Sequence, residues 1–379
     1  MIFLLFLLLP SQLAFHFWPS WSLINGIRVD YLSPTLYLTD LIILGLFLAS
    51  RLRVRVPLPV ILFVVLNLLI SYSPLVSLYK WLRILEYFWL FKYLVNYYEL
   101  KTMNYALALS ILWTSVLTWW QFFLQHSVGG LWWWLGERPL SAVLSGIAKV
   151  SFWDVQLMRP YATLPHPNAL AGFLLVAGLI LYSLNRKATP AVIIAFLTIP
   201  LTFSRTAIFL EVVILLFWLR PKILKLVLLV SSIYYLVSIV GSSVSVPDRL
   251  SLIHNSLFLI PKHPVLGVGL GSFIPATMNY ELLTINYLYQ PVHNIYLLLA
   301  SELGIPAVVT IGYWLLVRGK QLLRTMNYEL ITAVAVIAIT GAADHYWLTL
   351  HQNTLLLVLL LSLLYAKPTQ HLLRRGSQR

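Results

Sequence analysis

Cysteine is absent from this chain of 379 residues, and acidic residues are scarce, with only 12 Asp and Glu. The absence of cysteine excludes disulfides and thiolate metal sites, and it leaves the redox compartment undetermined. Charged residues make up only 10% of the sequence, against about a quarter in aqueous domains, which excludes a soluble globular protein. Because the acids form no Asp-x-Asp pair, metal-assisted catalysis is disfavoured, and we expect neither a metal nor a cofactor.

Apolar residues are abundant instead, at 60% of the chain with a mean hydropathy of +0.84. The apolar runs are about 15 to 24 residues long and do not alternate with a period of two, so they predict membrane-spanning helices. We therefore predict an all-α fold, a polytopic transmembrane helical bundle that forms one integral membrane domain over residues 1–379. The spans, about twelve, are expected at 1–18, 35–50, 57–72, 76–98, 104–124, 168–184, 189–203, 206–219, 224–241, 293–317, 327–343 and 349–366.

The first of these spans is the least regular, because Pro10, Ser11, Gln12 and His16 interrupt it. Residues 1–9 lack a basic n-region and a small-residue cleavage site. We interpret them as part of a span and not as a removable signal peptide.

The net charge of +14 comes mostly from short loops that follow every second predicted span. Basic residues in such loops set membrane topology. We therefore predict that the chain interacts with the lipid bilayer and has no nucleic-acid partner. The positive-inside rule places these loops and both termini in the cytoplasm, so that His293 faces the periplasm or exterior. The residues are Arg51, Arg53, Arg55, Lys101, Arg186, Lys187, Arg220, Lys222, Lys225, Arg318, Lys320, Arg324, Lys367, Arg374, Arg375 and Arg379.

Two segments on the predicted outer face are long, 125–167 and 242–292. The first is rich in tryptophan, which is typical of an interfacial aromatic belt. The second is predicted to be a large, partly helical periplasmic or extracellular loop, because Arg249–Ile260 places apolar residues at helical spacing. On the fourth span, Arg83 and Glu86 are three residues apart and can form an ion pair; their role stays open.

A histidine stands at the start of a long apolar helix in Gln290-Pro-Val-His-Asn-Ile-Tyr. Pro291 suits the first turn of that helix. There the positive end of the helix dipole meets His293 and favours a neutral imidazole that can accept a proton. A histidine that only anchors the helix at the headgroup level is the structural alternative.

Arginines recur on the same predicted face. Arg159 precedes His166-Pro-Asn168 at the start of the sixth span, Ser204-Arg205 lies in a tight hairpin, and Arg249 follows Asp248. Guanidinium groups match phosphate oxygens in pairs and stay charged. Arginines with one histidine base therefore suit transfer from a lipid diphosphate to a hydroxyl, although outer arginines also grip lipid headgroups.

The glycines of Gly267-Val-Gly269-Leu-Gly271 resemble a phosphate loop only weakly. A dinucleotide fingerprint needs a preceding strand and a βαβ unit, and this chain offers neither. Tight turns explain these glycines better.

Taken in order, these motifs resemble the O-antigen ligase and Wzy-type polymerase family. The series is Arg159 to Asn168, Ser204-Arg205-Thr206, Arg249, His263 to Phe273, and His293-Asn294 with Gly304 downstream, and the core of the match is 155–310. One departure is Ala162, where the family often has glycine.

The resemblance implies a GT-C-like membrane glycosyltransferase of surface polysaccharide or lipopolysaccharide biosynthesis. Such enzymes take a glycan from undecaprenyl diphosphate at the outer leaflet, invert the anomeric centre and need no metal. It implies that Arg205 and Arg249 bind the diphosphate and that His293 is the catalytic base. Arg159 matches a motif arginine, and we place it with the diphosphate-binding residues. Ser204, Asn294 and Asn168 are expected to support the site.

The acceptor stays open: a lipid A core, a second lipid-linked chain or a protein side chain. Two alternatives stay open as well. One is a flippase or transporter for lipid-linked saccharide, for which the expected internal symmetry is not found. The other is a peptidoglycan-type glycan polymerase, which would centre on an outer acid such as Asp154 or Asp248.

Overall fold

The computed structural model describes residues 1–97, 100–152, 155–218, 246–280, 282, 289–325 and 328–365. These residues are mostly helical, as predicted. The helices are α1 Ile2–Leu7, α2 Leu38–Ala49, α3 Leu58–Leu69, α4 Pro74–Asn96, α5 Leu100–Leu124, α6 Pro167–Leu184, α7 Thr189–Thr198, α8 Arg205–Trp218, α9 Val246–Lys262, α10 Phe273–Asn279, α11 Ile295–Leu303, α12 Ile305–Thr325, α13 Tyr328–Ala343, α14 Tyr346–Thr349 and α15 His351–Tyr365.

In the part of the chain that the structure describes, three short antiparallel ribbons accompany the helices, and they were not predicted. β1 pairs with β4, β2 with β3, and β5 with β6. Their strands are β1 Ala14–His16, β2 Leu23–Ile24, β3 Ile27–Arg28, β4 Thr35–Tyr37, β5 Lys149–Phe152 and β6 Val155–Met158.

The predicted first span at 1–18 is wrong. The helix ends at Leu7, and the chain turns into β1, which pairs with β4 in front of α2. Pro10 cannot continue a helix because it has no N–H to donate. Ser11 then donates a 2.8 Å hydrogen bond to the carbonyl of Leu135, which ties this turn to the tryptophan-rich segment.

Two helical stretches among the described residues, Thr102–Leu124 and Pro167–Leu184, are long and apolar enough to cross a membrane. Leu38–Ala49, Leu58–Leu69, Ile305–Val317, Tyr328–Ala343 and His351–Tyr365 are shorter apolar helices. The predicted count of about twelve spans is therefore not confirmed. The expected span at 224–241 lies outside the described residues, as does most of the basic tail.

Helix α6 is the centre of the bundle, and its side chains are buried almost all the way round from Pro167 to Leu181. A helix that is apolar on every face belongs in such a surrounded position. It begins where the His166 side chain accepts a hydrogen bond from the backbone N–H of Asn168, with Pro167 in the first turn. Helices α5, α7, α8, α13 and α15 pack around it.

The predicted helix 293–317 is broken in two at Gly304, which has a φ of +84°. A Cβ atom there would overlap the carbonyl oxygen of Val265, and the N–H of Ile305 donates a 2.8 Å hydrogen bond to the carbonyl of Pro264. The break thus lets the glycine-rich loop 263–272 pack directly against the end of α11.

The glycine-rich loop has a structural role. The backbone N–H groups of Val268 and Gly269 donate to the carbonyls of Ser301 and Glu302 at 2.8 and 3.1 Å. Gly267 has a φ of +68° and lies against the backbone of Glu302. Because these N–H groups already donate to carbonyl oxygens, they are not available to bind a phosphate. Tight turns therefore explain the glycines better than a phosphate loop does.

The 242–292 segment is partly helical in its described residues, where it contains α9 and α10. Leu252 and Leu259 of α9 are buried in a cluster with Phe273 of α10 and Leu298 of α11. Helix α9 therefore packs against the protein.

We expect the substitution Gly304→Ala to destabilise the protein. Alanine is strained at this φ by about 1–3 kcal/mol, and its Cβ adds an overlap with Val265. The melting temperature of the detergent-purified variant should fall by several degrees. Gly312→Ala, inside α12 with no atom within 4 Å of its added Cβ, is the control and should be neutral or stabilising. Equal shifts for the two variants would contradict the packing role of Gly304.

Candidate active site

Asp344 lies at the centre of a hydrogen-bond network that joins three of the predicted site residues. Its Oδ1 lies 3.2 Å from Nδ1 of His293, and its Oδ2 accepts a 3.0 Å hydrogen bond from Nδ2 of Asn168. The Oδ1 of Asn168 in turn accepts a 2.6 Å hydrogen bond from Nη2 of Arg159. Side chains from two separate predicted motifs therefore converge on one carboxylate.

The backbone in front of α11 fixes the position of His293. Asn294 is the N-cap, and its Oδ1 accepts hydrogen bonds of 2.9 and 3.0 Å from two N–H groups of the first helical turn. Its Nδ2 donates to the carbonyl of Ala342 at 3.0 Å. The helix thus begins at Ile295, two residues later than predicted. Asn294 thus holds the end of α11 against α13.

A small residue allows α11 and α13 to approach each other. A Cβ atom on Gly341 of α13 would overlap the side chain of Ile295 in the first turn of α11. Because the two helix ends are this close, His293 before α11 meets Asp344 after α13.

The two nitrogen atoms of the His293 ring face different groups. Nδ1 faces Asp344, and Nε2 lies 3.1 Å from Oε1 of Gln290. In the tautomer that donates from Nδ1 to the carboxylate, Nε2 carries the lone pair. Rotation of the Gln290 amide by a half turn would present its NH₂ group to that lone pair. Gln290 therefore occupies the position in which a hydroxyl donor would lie.

The tight hairpin predicted around Arg205 is connected to this network through Thr202. Nε of Arg159 donates a 2.8 Å hydrogen bond to the carbonyl of Thr202. The backbone N–H of buried Ser204 donates to Oγ1 of Thr202 at 3.2 Å, and Arg205 is the first residue of α8. Ser204 thus shapes the turn that leads to Arg205.

The chain adopts a left-handed conformation at Ala162, with a φ of +49°. This is the position at which the resemblance leads one to expect glycine, which adopts such a conformation without strain. The buried side chain of Gln121 accepts hydrogen bonds from the N–H groups of Tyr161 and Ala162 at 3.0 and 2.8 Å. These bonds hold the turn with alanine in place.

Arg249 approaches the same centre from α9. Its Nη1 donates a 3.3 Å hydrogen bond to the carbonyl of Ala343, the residue before Asp344. Arg159 and Arg249 therefore both reach the neighbourhood of Asp344, and both are half-buried.

The pKa values of three buried groups in the site, Asp344, His166 and His345, are shifted from their ordinary values. Burial would raise the pKa of Asp344, but its hydrogen bond with His293 lowers that pKa well below the ordinary value, as does the charge that the neighbouring histidines carry at acid pH. Burial, reinforced by the charge of Arg159, lowers the pKa of His166, and burial also lowers the pKa of His345. At neutral pH Asp344 is thus a carboxylate, and His166 and His345 are uncharged.

His293, Asp344 and His345 each offer one ligand atom, and these atoms all lie within 4.8 Å of one another. Nε2 of His345 is buried and has no hydrogen-bond partner. Two imidazoles and one carboxylate are a donor set that suits a divalent metal such as zinc. Among the described residues, this trio is the group that could hold a metal ion.

Sequence reasoning missed Asp344, His345 and Gln290. Asp344 was not singled out from the sequence, because it is 51 residues from His293. A usable signal was its place directly after a predicted span, at the end on which His293 was also expected.

The predicted ion pair on the fourth span is present and belongs to a larger buried cluster. Nη1 of Arg83 lies 2.7 Å from Asp40 and 2.9 Å from Glu86. His351 contacts Arg83 and lies 3.3 Å from Asp40. Paired charges of this kind are tolerated inside a bundle because each compensates the other.

Comparison with known families gives one match. Residues 190–312 match the family model Wzy_C, described as O-antigen ligase. No curated protein matches the chain. The predicted resemblance is therefore confirmed over this segment, which contains Arg205, Arg249 and His293. The match and the apolar helices together indicate a membrane protein that carries out glycan transfer of the O-antigen ligase or polymerase type.

Proposed function

We propose, on the premise of the O-antigen ligase match, that this chain transfers a glycan from a lipid-linked diphosphate to an acceptor hydroxyl at the outer face of the cytoplasmic membrane. The donor would be a saccharide on undecaprenyl diphosphate. The observation that carries the proposal is the pairing of His293 with Asp344 at 3.2 Å, linked through Asn168 to Arg159. A positioned base next to guanidinium groups meets the needs of glycosyl transfer from a diphosphate.

In the proposed reaction His293 acts on the acceptor. The acceptor hydroxyl replaces Gln290 at Nε2 and gives its proton to that nitrogen as its oxygen attacks the anomeric carbon. Asp344 accepts the Nδ1–H hydrogen bond, which keeps the lone pair on Nε2 and stabilises the imidazolium that forms. The new bond forms opposite the bond that breaks, so the anomeric centre is inverted.

The arginines act on the leaving group. As the bond between the anomeric carbon and the diphosphate oxygen breaks, its electron pair goes to that oxygen. Arg205 and Arg249 would neutralise this charge through paired hydrogen bonds. Arg159, which is engaged by Thr202 and Asn168, is better placed to hold Asn168 against Asp344 than to move onto a substrate. Metal is not needed in this scheme.

Purified protein in nanodiscs tests the proposal directly. The donor is undecaprenyl diphosphate-linked saccharide extracted from membranes of the cells that produce the protein. The amount of undecaprenyl diphosphate released should equal the amount of glycan transferred to the acceptor. EDTA should leave the rate unchanged; a loss that Zn²⁺ restores would point to His293, Asp344 and His345 as a metal site. Transport of intact donor across a vesicle membrane without release would favour the flippase alternative.

The substitution Asp344→Asn is expected to lower kcat on the order of 10²-fold or more, because the amide no longer fixes the tautomer of His293. The KM for the donor should change little, since the diphosphate does not bind to Asp344. The measurement is steady-state release of undecaprenyl diphosphate. Glu329→Gln, which breaks a partly exposed ion pair with Arg186, is the control for loss of a carboxylate. A raised KM with unchanged kcat would contradict the positioning role.

A further inference from the structure

A cavity of about 230 Å³ with a mixed polar and apolar lining lies between the β1–β4 ribbon, α4 and the segment 348–354. Tyrosines supply much of its wall, and charged side chains stand at its rim and floor. The lining includes Tyr31, Tyr79, Tyr87, Asp30, Arg83 and Leu348.

One wall of this cavity touches the candidate active site. The ring of Tyr31 meets the ring of His345 edge to face, with 5.4 Å between their centroids. Thr349, also in the wall, lies with its Oγ1 2.7 Å from Nδ1 of His345. The His345 ring lies 4.9 Å from the ring of His293. A molecule in the cavity is therefore separated from His293 by two layers of side chains, the cavity wall and His345 behind it.

The charge of the cavity does not suit a diphosphate. Arg83 at the floor is already paired with Asp40 and Glu86, at 2.7 and 2.9 Å. Arg138 at the rim donates a 2.7 Å hydrogen bond to the carbonyl of Pro165. Their positive charge is largely committed within the protein. Of the other charged residues in the lining, Lys80 is positive and Asp30 is negative, so these two offset each other.

The polar atoms of the wall are held in place by the protein. The hydroxyl of Tyr79 accepts from the N–H of Thr35 at 3.1 Å and lies 3.2 Å from its carbonyl. The hydroxyl of Tyr87 lies 2.8 Å from Nδ1 of His351. A site with fixed polar groups and aromatic faces loses little freedom when it binds a ligand.

We propose that this cavity is a saccharide subsite, which holds one sugar ring of a substrate on the far side of His345 from His293. The inference rests on the glycan transfer proposed above and adds the place at which the sugar binds. A sugar ring is uncharged and rich in hydroxyls, which act as donors and as acceptors, and the wall offers both kinds of partner. The volume is below the ~300–1,000 Å³ of pockets for drug-sized ligands, so it suits one ring and not a long glycan.

Two variants test the subsite. Leu348→Trp fills the cavity from its wall, and Asp30→Asn replaces an exposed carboxylate of the lining with an uncharged amide. Ile27→Trp, an exposed position on the neighbouring β2–β3 ribbon that does not line the cavity, is the matched control. The probe is the free saccharide released by mild acid from the undecaprenyl diphosphate-linked donor, titrated calorimetrically into the protein in nanodiscs.

We expect Leu348→Trp to weaken saccharide binding at least 10-fold and Asp30→Asn to weaken it several-fold, with Ile27→Trp unchanged. Binding of undecaprenyl diphosphate without sugar should be the same in all three variants. Saccharide affinity that is undetectable in the unmodified protein, or unaltered in Leu348→Trp, would overturn the subsite.

The kinetic arm separates the two possible sources of the sugar. If the substitution Leu348→Trp raises only the KM for the lipid-linked donor, the cavity holds the donor sugar. If it raises only the KM for the acceptor, the cavity holds the acceptor sugar. Both unchanged would overturn the subsite. Absence of transfer by the unmodified protein would instead overturn the proposed function, and the titration would still decide whether the cavity binds saccharide.

Discussion

The variant His293→Ala is expected to lose about 10²–10⁴-fold in kcat for glycan transfer, because it removes the group that takes the proton of the attacking hydroxyl. Folding should survive, since the ring is partly exposed and the helix end is held by Asn294 and not by the histidine. The measurement is single-turnover release of undecaprenyl diphosphate from a saturating lipid-linked donor. Binding of that donor should stay within a few-fold of the unmodified protein.

A matched control is His254→Ala, which removes an exposed histidine of α9. It should leave transfer unchanged. Rates of His293→Ala that equal those of this control would remove the catalytic assignment of His293. A loss of donor binding as large as the loss of rate would assign His293 to binding instead.

The site motifs were largely predictable from the sequence because each is a local pattern. A histidine before an apolar helix and an arginine before a proline-rich turn are visible within a few residues, and the structure brings His293, Asn168 and Arg159 into one network. Asp344 was not predictable in the same way. Its role depends on the contact of α11 with α13 at Gly341, which no local pattern encodes.

The fold was predictable to a similar degree. Long apolar runs predicted α5 and α6, because hydropathy alone decides such helices. The β1–β4 ribbon was missed since each strand has only three residues, and its pairing of Ala14 with Tyr37 joins segments that are read as separate spans. The break at Gly304 was missed because it depends on packing against the loop that contains Val265.

Loss of either arginine that we propose to bind the diphosphate is expected to have the second largest effect. Arg205→Ala and Arg249→Ala should each lower kcat about 10²–10³-fold, as does removal of one group that stabilises a developing negative charge. Lysine at either position keeps the charge but not the paired donors, so Arg249→Lys should recover only part of the rate. The two alanine losses should not add in the double variant, because the arginines would serve one leaving group.

Product binding gives a readout that a merely structural role would not change. Undecaprenyl diphosphate without sugar should bind at least 10-fold more weakly to each alanine variant, and the free saccharide should bind as before. Arg28→Ala, an exposed arginine of β3, is the control. Arg249 also donates to the carbonyl of Ala343, so the melting temperature of its variants must be compared with that of Arg205→Ala. If both arginine variants bound undecaprenyl diphosphate as tightly as Arg28→Ala does, other groups would have to neutralise the charge of the leaving group. The next candidate to test would then be a divalent metal held by His293, Asp344 and His345.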